Sequence, residues 1–334
     1  MKSLVTGATG LLGSSLVREL LKNNSEVKVL VCEKSDTRTI DGLDVERVKG
    51  DIRDGEAMKA ALKSCNIFYQ NAGLYVENAP KKEYFDINVE GTKTALNAAL
   101  QQGVEKVVYT SSVAAVGYAG QPGKMADEKP QFNWGNSGSP YYISKYQGEQ
   151  AALVFRKKGL PLVVVNPTFI IGDRDVKPTP SGHVILDFLN GKMPGYFGGG
   201  INMVDADDVA RGMILAAQKG RIGERYILGG TNLNYKEFFD MVAEIAGTKP
   251  ITKKFSRNTI MAMARLMKLI SFFTRKPPGM DLVDMRILVD QDLFYDCSKA
   301  IKELGMPHTP IRTTIEKAVN WFRKNGYVKV NAKE

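Results

Sequence analysis

The segment that most constrains the fold lies at the start of the chain, where a strand pattern changes into a helical pattern within a few residues. In MKSLVTGATGLLGSSLVREL, Leu4 and Val5 are typical of a strand, and apolar residues then recur at helical spacing between residues 11 and 21. The glycine-rich stretch between them predicts a tight turn that joins a strand to the N-terminus of a helix.

Three glycines lie in this turn with the spacing G-x-x-G-x-x-G. Glycine lets another group approach the backbone closely, and a helix N-terminus offers free N–H groups and a partial positive charge that suit a phosphate. The turn therefore predicts a pyrophosphate cradle for a dinucleotide, although three glycines also occur in tight turns that bind nothing. The residues of this predicted cradle are Gly7, Thr9, Gly10, Leu11, Leu12 and Gly13.

Strand and helix patterns alternate through the first half of the chain. Apolar runs typical of strands occur at 27–32, 45–48, 66–70, 105–110 and 162–166. Helical patterns lie near 11–22, 54–63, 83–102 and 141–157. This alternation predicts an α/β fold with a doubly wound, Rossmann-type parallel sheet, in which ligands bind at the carboxyl ends of the strands.

The alternation ends near residue 172, where IIGDRDVKPTPSG is typical of a loop. The last hundred residues are mostly helical in pattern. We therefore predict a dinucleotide-binding domain over 1–172, to which 201–230 returns. Residues 173–200 and 231–334 are predicted to form a smaller, mostly helical substrate lobe.

One helical pattern in the second half is unusually apolar. The segment NTIMAMARLMKLISFF at 258–273 is rich in methionine and carries Arg265 and Lys268. A helix of this kind can lie on a membrane surface, which would give a weak membrane contact. We favour the alternative, a core or lid helix over an apolar substrate, because methionine adapts to varied shapes.

The end of the second predicted strand bears on the choice of cofactor. Dinucleotide folds often place an acidic residue about 20 residues beyond the glycine turn to hold the ribose hydroxyls, and here that position is Cys32. Lys34 and Arg38 follow closely and suit a 2′-phosphate, so NADP is favoured over NAD. Glu33 leaves NAD as the alternative, since its carboxylate could take the place of the missing acid.

Two further strand ends are candidates for cofactor contact. Asp51 is placed to accept a hydrogen bond from an adenine amino group, with Ile52 against the ring, although Asp51 could instead cap the helix predicted at 54–63. The next strand ends with small residues that would let the backbone lie against the cofactor, namely Asn71, Ala72 and Gly73.

The chemistry is predicted from the segments that follow the fifth strand. Ser111 and Ser112 end that strand, and Tyr141 and Lys145 lie one helical turn apart on a predicted helix. A nearby ammonium favours the phenolate, so we expect the lysine to lower the pKa of the tyrosine. A serine, a tyrosine and a lysine together suit proton transfer at an alcohol while a nicotinamide exchanges hydride. Tyr142 is a weaker candidate, because the residue one helical turn further on, Tyr146, is not a lysine.

Composition excludes several other kinds of site. The chain has three cysteines without a CxxC pair and two histidines, so no metal site is predicted. The net charge of +10 suits an anionic partner such as a dinucleotide, but no nucleic-acid-binding motif is evident. We expect a small-molecule substrate as the partner. The sequence is also compatible with a homodimer.

The start of the chain bears on its location. The first strand pattern begins almost at Met1, which leaves no room for a signal peptide. No apolar run approaches the ~18 residues of a spanning helix. We therefore expect a cytoplasmic location.

These motifs together resemble the extended short-chain dehydrogenase/reductase family, also called the NAD-dependent epimerase/dehydratase family, over nearly the whole chain. The resemblance is carried by TGATGLLG, GDIRD, YTSSVAAVG, PYYISK and NPTFIIGDRD. It implies that Ser112 is the catalytic serine, Tyr141 the acid/base, and Lys145 the residue that lowers the tyrosine pKa and binds the nicotinamide ribose. It also implies that Pro167 lies near the nicotinamide and that Asn88 is a structural helix residue near the site.

Within the family, the chain most resembles the dihydroflavonol-4-reductase-like members, including the hopanoid-associated sugar epimerase group. The segments KPTPSG, DFLNGKMP and GRIGERYILGG carry this resemblance. The chain departs from it at Cys32, where many relatives have a basic residue, and at Asp205, where many have histidine. We expect an NADP(H)-dependent oxidoreductase that acts on a carbonyl/alcohol pair of a small, apolar substrate. The alternatives are a nucleotide-sugar epimerase or dehydratase with bound NAD, and a dinucleotide sensor without catalysis.

Overall fold

The structure, a computed structural model, describes residues 1–76, 79–129, 131–274 and 281–328. The strands in this part of the chain are β1 Lys2–Thr6, β2 Glu26–Val31, β3 Glu46–Lys49, β4 Ile67–Gln70, β5 Lys106–Thr110, β6 Leu162–Pro167, β7 Phe169–Ile171, β8 Gly200–Asp205, β9 Arg225–Leu228, β10 Thr231–Asn234 and β11 Asp292–Leu293. The α-helices are α1 Leu11–Lys22, α2 Gly55–Leu62, α3 Lys81–Phe85, α4 Thr92–Gln102, α5 Pro140–Lys157, α6 Pro180–Leu189, α7 Ala206–Lys219, α8 Tyr235–Ala246, α9 Arg257–Thr274, α10 Leu282–Leu288 and α11 Ile311–Lys324.

Seven of the strands form one parallel sheet in the order β3-β2-β1-β4-β5-β6-β9. Strand order reverses between β1 and β4, which is the place where doubly wound sheets bind their ligands. On one face α1 packs against α7, and on the other α2 packs against α4. This arrangement confirms the predicted Rossmann-type fold.

Two of the three glycines in the first turn are required by the packing of the chain itself. Gly7 has φ +66°, and a Cβ there would lie 2.9 Å from the Cα of Ala72. A Cβ at Gly13 would lie 2.0 Å from the carbonyl oxygen of Gly7. The turn after β1 can therefore lie against the end of β4 and the start of α1 only with glycine at both positions.

A second sheet, which the sequence patterns did not predict, lies beyond the parallel sheet. Its central strand β8 pairs antiparallel with β10 and parallel with β7 and β11. A buried apolar cluster that includes Ile201, Phe238 and Ile315 joins this sheet to helices α6, α8 and α11. The predicted substrate lobe thus contains a small mixed sheet as well as helices, while its division from the rest of the chain stays a prediction.

One predicted helix is interrupted at a position that matters for the site. The pattern at 83–102 forms α3, then a π-helix at Asp86–Gly91, then α4. A π-helix has i→i+5 hydrogen bonds, so each turn holds about one residue more than a turn of an α-helix, and such segments are frequent at functional sites. Among the described residues, every helix is too short or too polar to cross a lipid bilayer.

Candidate active site

Three sequence-predicted residues meet at the carboxyl ends of β5 and β6. The hydroxyl of Tyr141 donates a hydrogen bond to Oγ of Ser112, with the two oxygens 3.4 Å apart. Lys145, one turn further along α5, is buried and donates from Nζ to the carbonyl oxygen of Thr110 at 2.9 Å. The helix and the strand end therefore present two hydroxyl groups and an amine to one place.

The protein environment moves the pKa values of Tyr141 and Lys145 in opposite directions. Burial raises the pKa of Tyr141 to about 12, and the hydrogen bond with Ser112 opposes that rise. Burial lowers the pKa of Lys145 to about 8, and the charge of Glu149 opposes that fall. Burial is the main cause of the raised tyrosine pKa. The lowering of that pKa by Lys145 stays a prediction.

A buried polar network holds the backbone of Ser112. The amide nitrogen of Asn166 donates to the carbonyl oxygen of Ser112 at 2.9 Å and to Oε2 of Glu149 at 2.8 Å. Glu149 is fully buried on α5 and forms an ion pair with Arg225 of β9. Sequence reasoning missed this network, although Asn166 directly precedes Pro167 and Glu149 follows Lys145 at i+4 on the same helix.

Asn88 joins the loop after β4 to the catalytic helix. Its amide nitrogen donates to Oγ of Ser144 at 3.0 Å and to the carbonyl of Leu74 at 3.2 Å, and its Oδ1 accepts from the Leu74 N–H at 2.7 Å. A Cβ at Gly148 would lie 2.3 Å from the backbone oxygen of Asn88. Asn88 therefore touches the helix that bears Tyr141 and Lys145, and it does so through its side chain and its backbone.

Gly10 differs from the other two glycines of the first turn. It is exposed at the N-cap of α1, without a side-chain cap, and a Cβ there would meet nothing closer than the Gly7 carbonyl oxygen at 3.6 Å. The fold itself does not require glycine at this position. A side chain would instead fill the space in front of the free N–H groups of the helix, which is the space that a pyrophosphate would need.

The other predicted cradle residues contribute backbone rather than side chains. Leu11 and Leu12 are buried, so only their N–H groups can face a ligand at the helix end. The carbonyl oxygen of Thr9 accepts from Oγ1 of Thr39 at 3.0 Å, which ties the turn to the segment after β2. These residues fit the pyrophosphate of a dinucleotide.

The loop after β4 connects the glycine turn with Lys145. Nδ2 of Asn71 lies 3.4 Å from the Gly7 carbonyl oxygen, and the N–H groups of Asn71 and Ala72 both donate to Oγ1 of Thr6 at 3.1 Å. A Cβ at Gly73 would lie 3.7 Å from Nζ of Lys145. The three small residues therefore line a path from the predicted pyrophosphate site toward the predicted catalytic residues.

Basic residues cluster beyond β2. Arg38 forms a bidentate ion pair with Asp36, whose pKa falls to about 2 because of the guanidinium, and Arg38 is itself exposed. Together with Arg18 and Arg174 it lines a cavity of about 260 Å³. Lys34 is exposed in the preceding turn. Arg174 is paired with Asp173 and Asp207, as Arg38 is with Asp36. An anion in this cavity would therefore share these guanidinium groups with the carboxylates.

The remainder of this strand edge is also exposed. Cys32 and Glu33 both face solvent at the end of β2. The carboxylate of Glu33 is therefore free of any packing that would keep it from a ligand.

Asp51, after the third strand, was predicted either to contact an adenine or to cap the next helix, and the structure excludes the cap. The cap of α2 is Asp54, whose side chain accepts from the N–H groups of Glu56 and Ala57. Asp51 instead accepts from the N–H and the guanidinium of Arg53, which keeps its pKa below the ordinary value. The alternative that Asp51 caps this helix is therefore wrong, and its contact with an adenine stays a prediction.

Two further candidates lie in buried positions. Ile52 is buried, and a Cβ at Gly91 would lie 2.7 Å from its Cδ1, so Ile52 packs against the π-helix. Pro167 ends β6, next to Asn166 and opposite Leu228 of β9. Both positions keep the apolar side chain close to the strand ends at which a cofactor is predicted.

Aromatic rings surround the tyrosine. The ring of Tyr75 lies 4.6 Å from that of Tyr141, and Tyr142 packs against Trp134 at 5.2 Å. Trp134 in turn stacks on Tyr118 at 4.3 Å. The buried indole nitrogen of Trp134 has no hydrogen-bond partner among the described residues. The ring of Tyr141 therefore lies among other aromatic rings, while its hydroxyl group lies beside the polar groups described above.

A phenol and a serine hydroxyl in contact, beside a buried amine and at the sheet edge that a dinucleotide would reach, define a class of protein. It is an NAD(P)-dependent oxidoreductase of the extended short-chain dehydrogenase/reductase type. More narrowly, the chain belongs to the NAD dependent epimerase/dehydratase family, whose family model matches residues 3–229. The family predicted from the motifs is thereby confirmed.

Similar proteins carry several names. The chain is 37% identical to a Synechocystis protein named "Putative dihydroflavonol 4-reductase", over 97% of this chain and 95% of that protein. It is 33% identical to the protein named "Sterol demethylase protein B" of Methylococcus capsulatus, over 98% and 100%. The crystal structure of the protein gox2253 has a TM-score of 0.86 and 38% identity, over 98% of this chain and 99% of that one.

We predict that Gly10→Val weakens dinucleotide binding at least about tenfold, since hydrogen bonds to a charged group are worth about 1.5–3 kcal/mol each. Stability should change little, because the added Cβ has room. Fluorescence titration with NADPH and NADH, together with thermal unfolding, measures both. The control is Gly55→Val at the start of α2, where a Cβ would lie 3.7 Å from Thr94. Unchanged affinity in a folded Gly10→Val protein would contradict the assignment.

Proposed function

We propose that the protein is an NADP(H)-dependent oxidoreductase that interconverts a carbonyl and an alcohol on a small, apolar substrate. The observation that carries this proposal is the contact between the Tyr141 and Ser112 hydroxyl groups next to buried Lys145. The ring of Tyr75, 4.6 Å from the ring of Tyr141, offers apolar surface next to the hydroxyl pair and supports the choice of an apolar substrate. A relative named for a sterol is consistent with this choice.

The residues present fit a bound dinucleotide, and each would have a separate task. The turn at Gly10 would hold the pyrophosphate, the segment at 71–73 would lie along the cofactor, and Lys145 would hold the nicotinamide ribose. The bound nicotinamide supplies or accepts the hydride.

The hydroxyl pair would then act on the substrate oxygen. Ser112 would donate a hydrogen bond that orients this oxygen, and Tyr141 would transfer a proton to or from the same atom. Asn166 and Glu149 keep the Ser112 backbone in position. The pKa of about 12 keeps Tyr141 protonated at neutral pH, as a proton donor to a carbonyl must be.

A nucleotide-sugar epimerase or dehydratase is the second candidate, and the name of the family favours it. Such an enzyme keeps its NAD and shows no net turnover of the cofactor. An assay of NADPH consumption with ketones, aldehydes and nucleotide sugars therefore separates the two. A sensor without catalysis is less well supported, because a sensor has no use for a proton donor.

We predict that Tyr141→Phe lowers kcat by at least about a hundredfold, the usual contribution of a general acid. Binding of the cofactor should stay near normal, since only the phenol oxygen is removed. Tyr142→Phe is the matched control on the adjacent residue and should have a mild effect. Stopped-flow or steady-state NADPH oxidation measures both variants. A severe effect of Tyr142→Phe together with a harmless Tyr141→Phe would show that Tyr142, and not Tyr141, is the proton donor.

We predict that kcat/KM for NADPH falls as the pH rises through about 8, where Lys145 loses its proton. The sign follows from the lowered pKa: the ammonium is present below this value and absent above it, and an anionic cofactor needs the charged form. This parameter reports ionisations of the free enzyme. In Lys145→Arg the charge persists, so the fall near pH 8 should vanish from any remaining activity. A wild-type profile that stays level well above pH 8 would count against this assignment.

We predict tighter binding of NADPH than of NADH, because Lys34 and Arg38 suit a 2′-phosphate and Cys32 supplies no carboxylate. Arg38→Ala should weaken NADPH binding about tenfold, the loss expected for one charged contact, and leave NADH binding unchanged. Arg47→Ala is the matched control, since Arg47 lies on the neighbouring strand β3 and also pairs with an aspartate, Asp41. Tighter binding of NADH to the wild-type protein would reverse the assignment and point to Glu33 as the ribose ligand.

A further inference from the structure

Helix α9 exposes an apolar face. Leu266, Leu269, Ile270 and Phe273 have exposed fractions of 58%, 55%, 50% and 75%, and they recur at i, i+3, i+4 and i+7 along the helix. Residues with this spacing lie on one side of an α-helix. We call these four residues the exposed apolar face of α9.

The same helix is attached to the protein by a different side. Ile260, Met261 and Ala264 are its buried residues, and α9 packs against α10. At 3.6 residues per turn, Ile260 and Ala264 point to the side of the helix opposite Leu266. A surface helix normally has polar residues on its outer side, whereas α9 has four large apolar residues there. A lid helix over an apolar substrate, as favoured from the sequence, would turn its apolar side toward the protein and not toward solvent.

The sequence around α9 is rich in basic residues, whereas α10, against which α9 packs, carries Asp284 and is capped by Asp281. Between Glu244 and Asp281 the sequence contains eight lysines and arginines and no acidic residue. Six of the basic residues belong to the described part of the chain: Lys249, Lys253, Lys254, Arg257, Arg265 and Lys268. Arg265 and Lys268 are both exposed in the same two turns as the apolar face. The long aliphatic stems of such residues can lie along an apolar surface while the charge stays in water.

These two properties select one kind of partner. A second copy of the chain docked through this face would bring two strongly basic segments together, which repel each other. An anionic lipid bilayer offers both an apolar interior for the four side chains and negative head groups for the basic residues. A helix of 18 residues that is too polar to cross a bilayer can lie in the plane of its surface.

We propose that α9 is an interfacial helix through which the protein binds the surface of an anionic lipid bilayer. The exposed apolar face enters the boundary between head groups and acyl chains, and Arg265 and Lys268 attract the head groups. α10, against which α9 packs, brings Val283 close to Gly138, just before the catalytic helix. Binding through α9 would therefore hold the active site near the bilayer surface.

The test is co-sedimentation of the full-length protein with vesicles of phosphatidylcholine, with and without phosphatidylglycerol. We expect binding to the vesicles with phosphatidylglycerol to be at least about tenfold stronger, and to weaken as salt is added. The double variant Leu269→Ser, Phe273→Ser should lose at least about tenfold of that binding. The double variant Arg265→Gln, Lys268→Gln should also lose about tenfold.

Matched controls separate a specific face from general stickiness. Val154→Ser with Ile222→Ser removes two exposed apolar residues elsewhere, and Lys157→Gln with Lys302→Gln removes two exposed charges elsewhere. Both should bind vesicles like the wild type. The proposal fails if the wild type stays in solution with every vesicle, or if the α9 variants bind as well as the controls. It also fails if Leu269→Ser, Phe273→Ser abolishes self-association in sedimentation velocity while vesicle binding is absent.

Discussion

The position of the predicted catalytic side chains depends on one contact between the backbones of two helical segments. A Cβ at Gly148 would lie 2.3 Å from the carbonyl oxygen of Asn88, so α5 approaches the π-helix this closely only with glycine at residue 148. From this contact follow the bond between Asn88 and Ser144 and the reach of Lys145 to the Thr110 carbonyl. A wider separation would pull the Tyr141 hydroxyl away from Ser112, which is fixed to the sheet rather than to the helix.

A buried charge supports the same geometry from the other side. Glu149 is fully buried, which is unfavourable for a carboxylate unless it is paired and hydrogen-bonded. Arg225 and Asn166 satisfy it, and Asn166 also donates to the Ser112 carbonyl. Strands β6 and β9, helix α5 and the end of β5 are thereby tied to one another. The negative charge of Glu149 also keeps the pKa of Lys145 from falling further on burial.

Features with a strong local pattern could be predicted from the sequence. Most strands of the parallel sheet are rich in apolar residues, although β3 is not. Tyr141 and Lys145 are spaced by a helical turn, so their position on one face follows from helix geometry. The second sheet could not be predicted in this way, because strands such as β7 with three residues and β11 with two are too short for a period. The contacts of Asn166 depend on Ser112 and Glu149, which are distant along the chain. The choice of Asp54 over Asp51 as a cap is local, but both aspartates precede the helix closely enough to cap it, and only the structure shows where the helix begins.

Close packing of α5 also fixes which protonation state the site favours. Removal of water raises the pKa of Tyr141 to about 12 and lowers that of Lys145 to about 8, so burial works toward the neutral form of each. At neutral pH the phenol keeps its proton and most of the lysine stays charged. The packing that brings the hydroxyl group of Tyr141 to Ser112 therefore also keeps that hydroxyl group protonated, since both follow from the burial of α5 against the sheet.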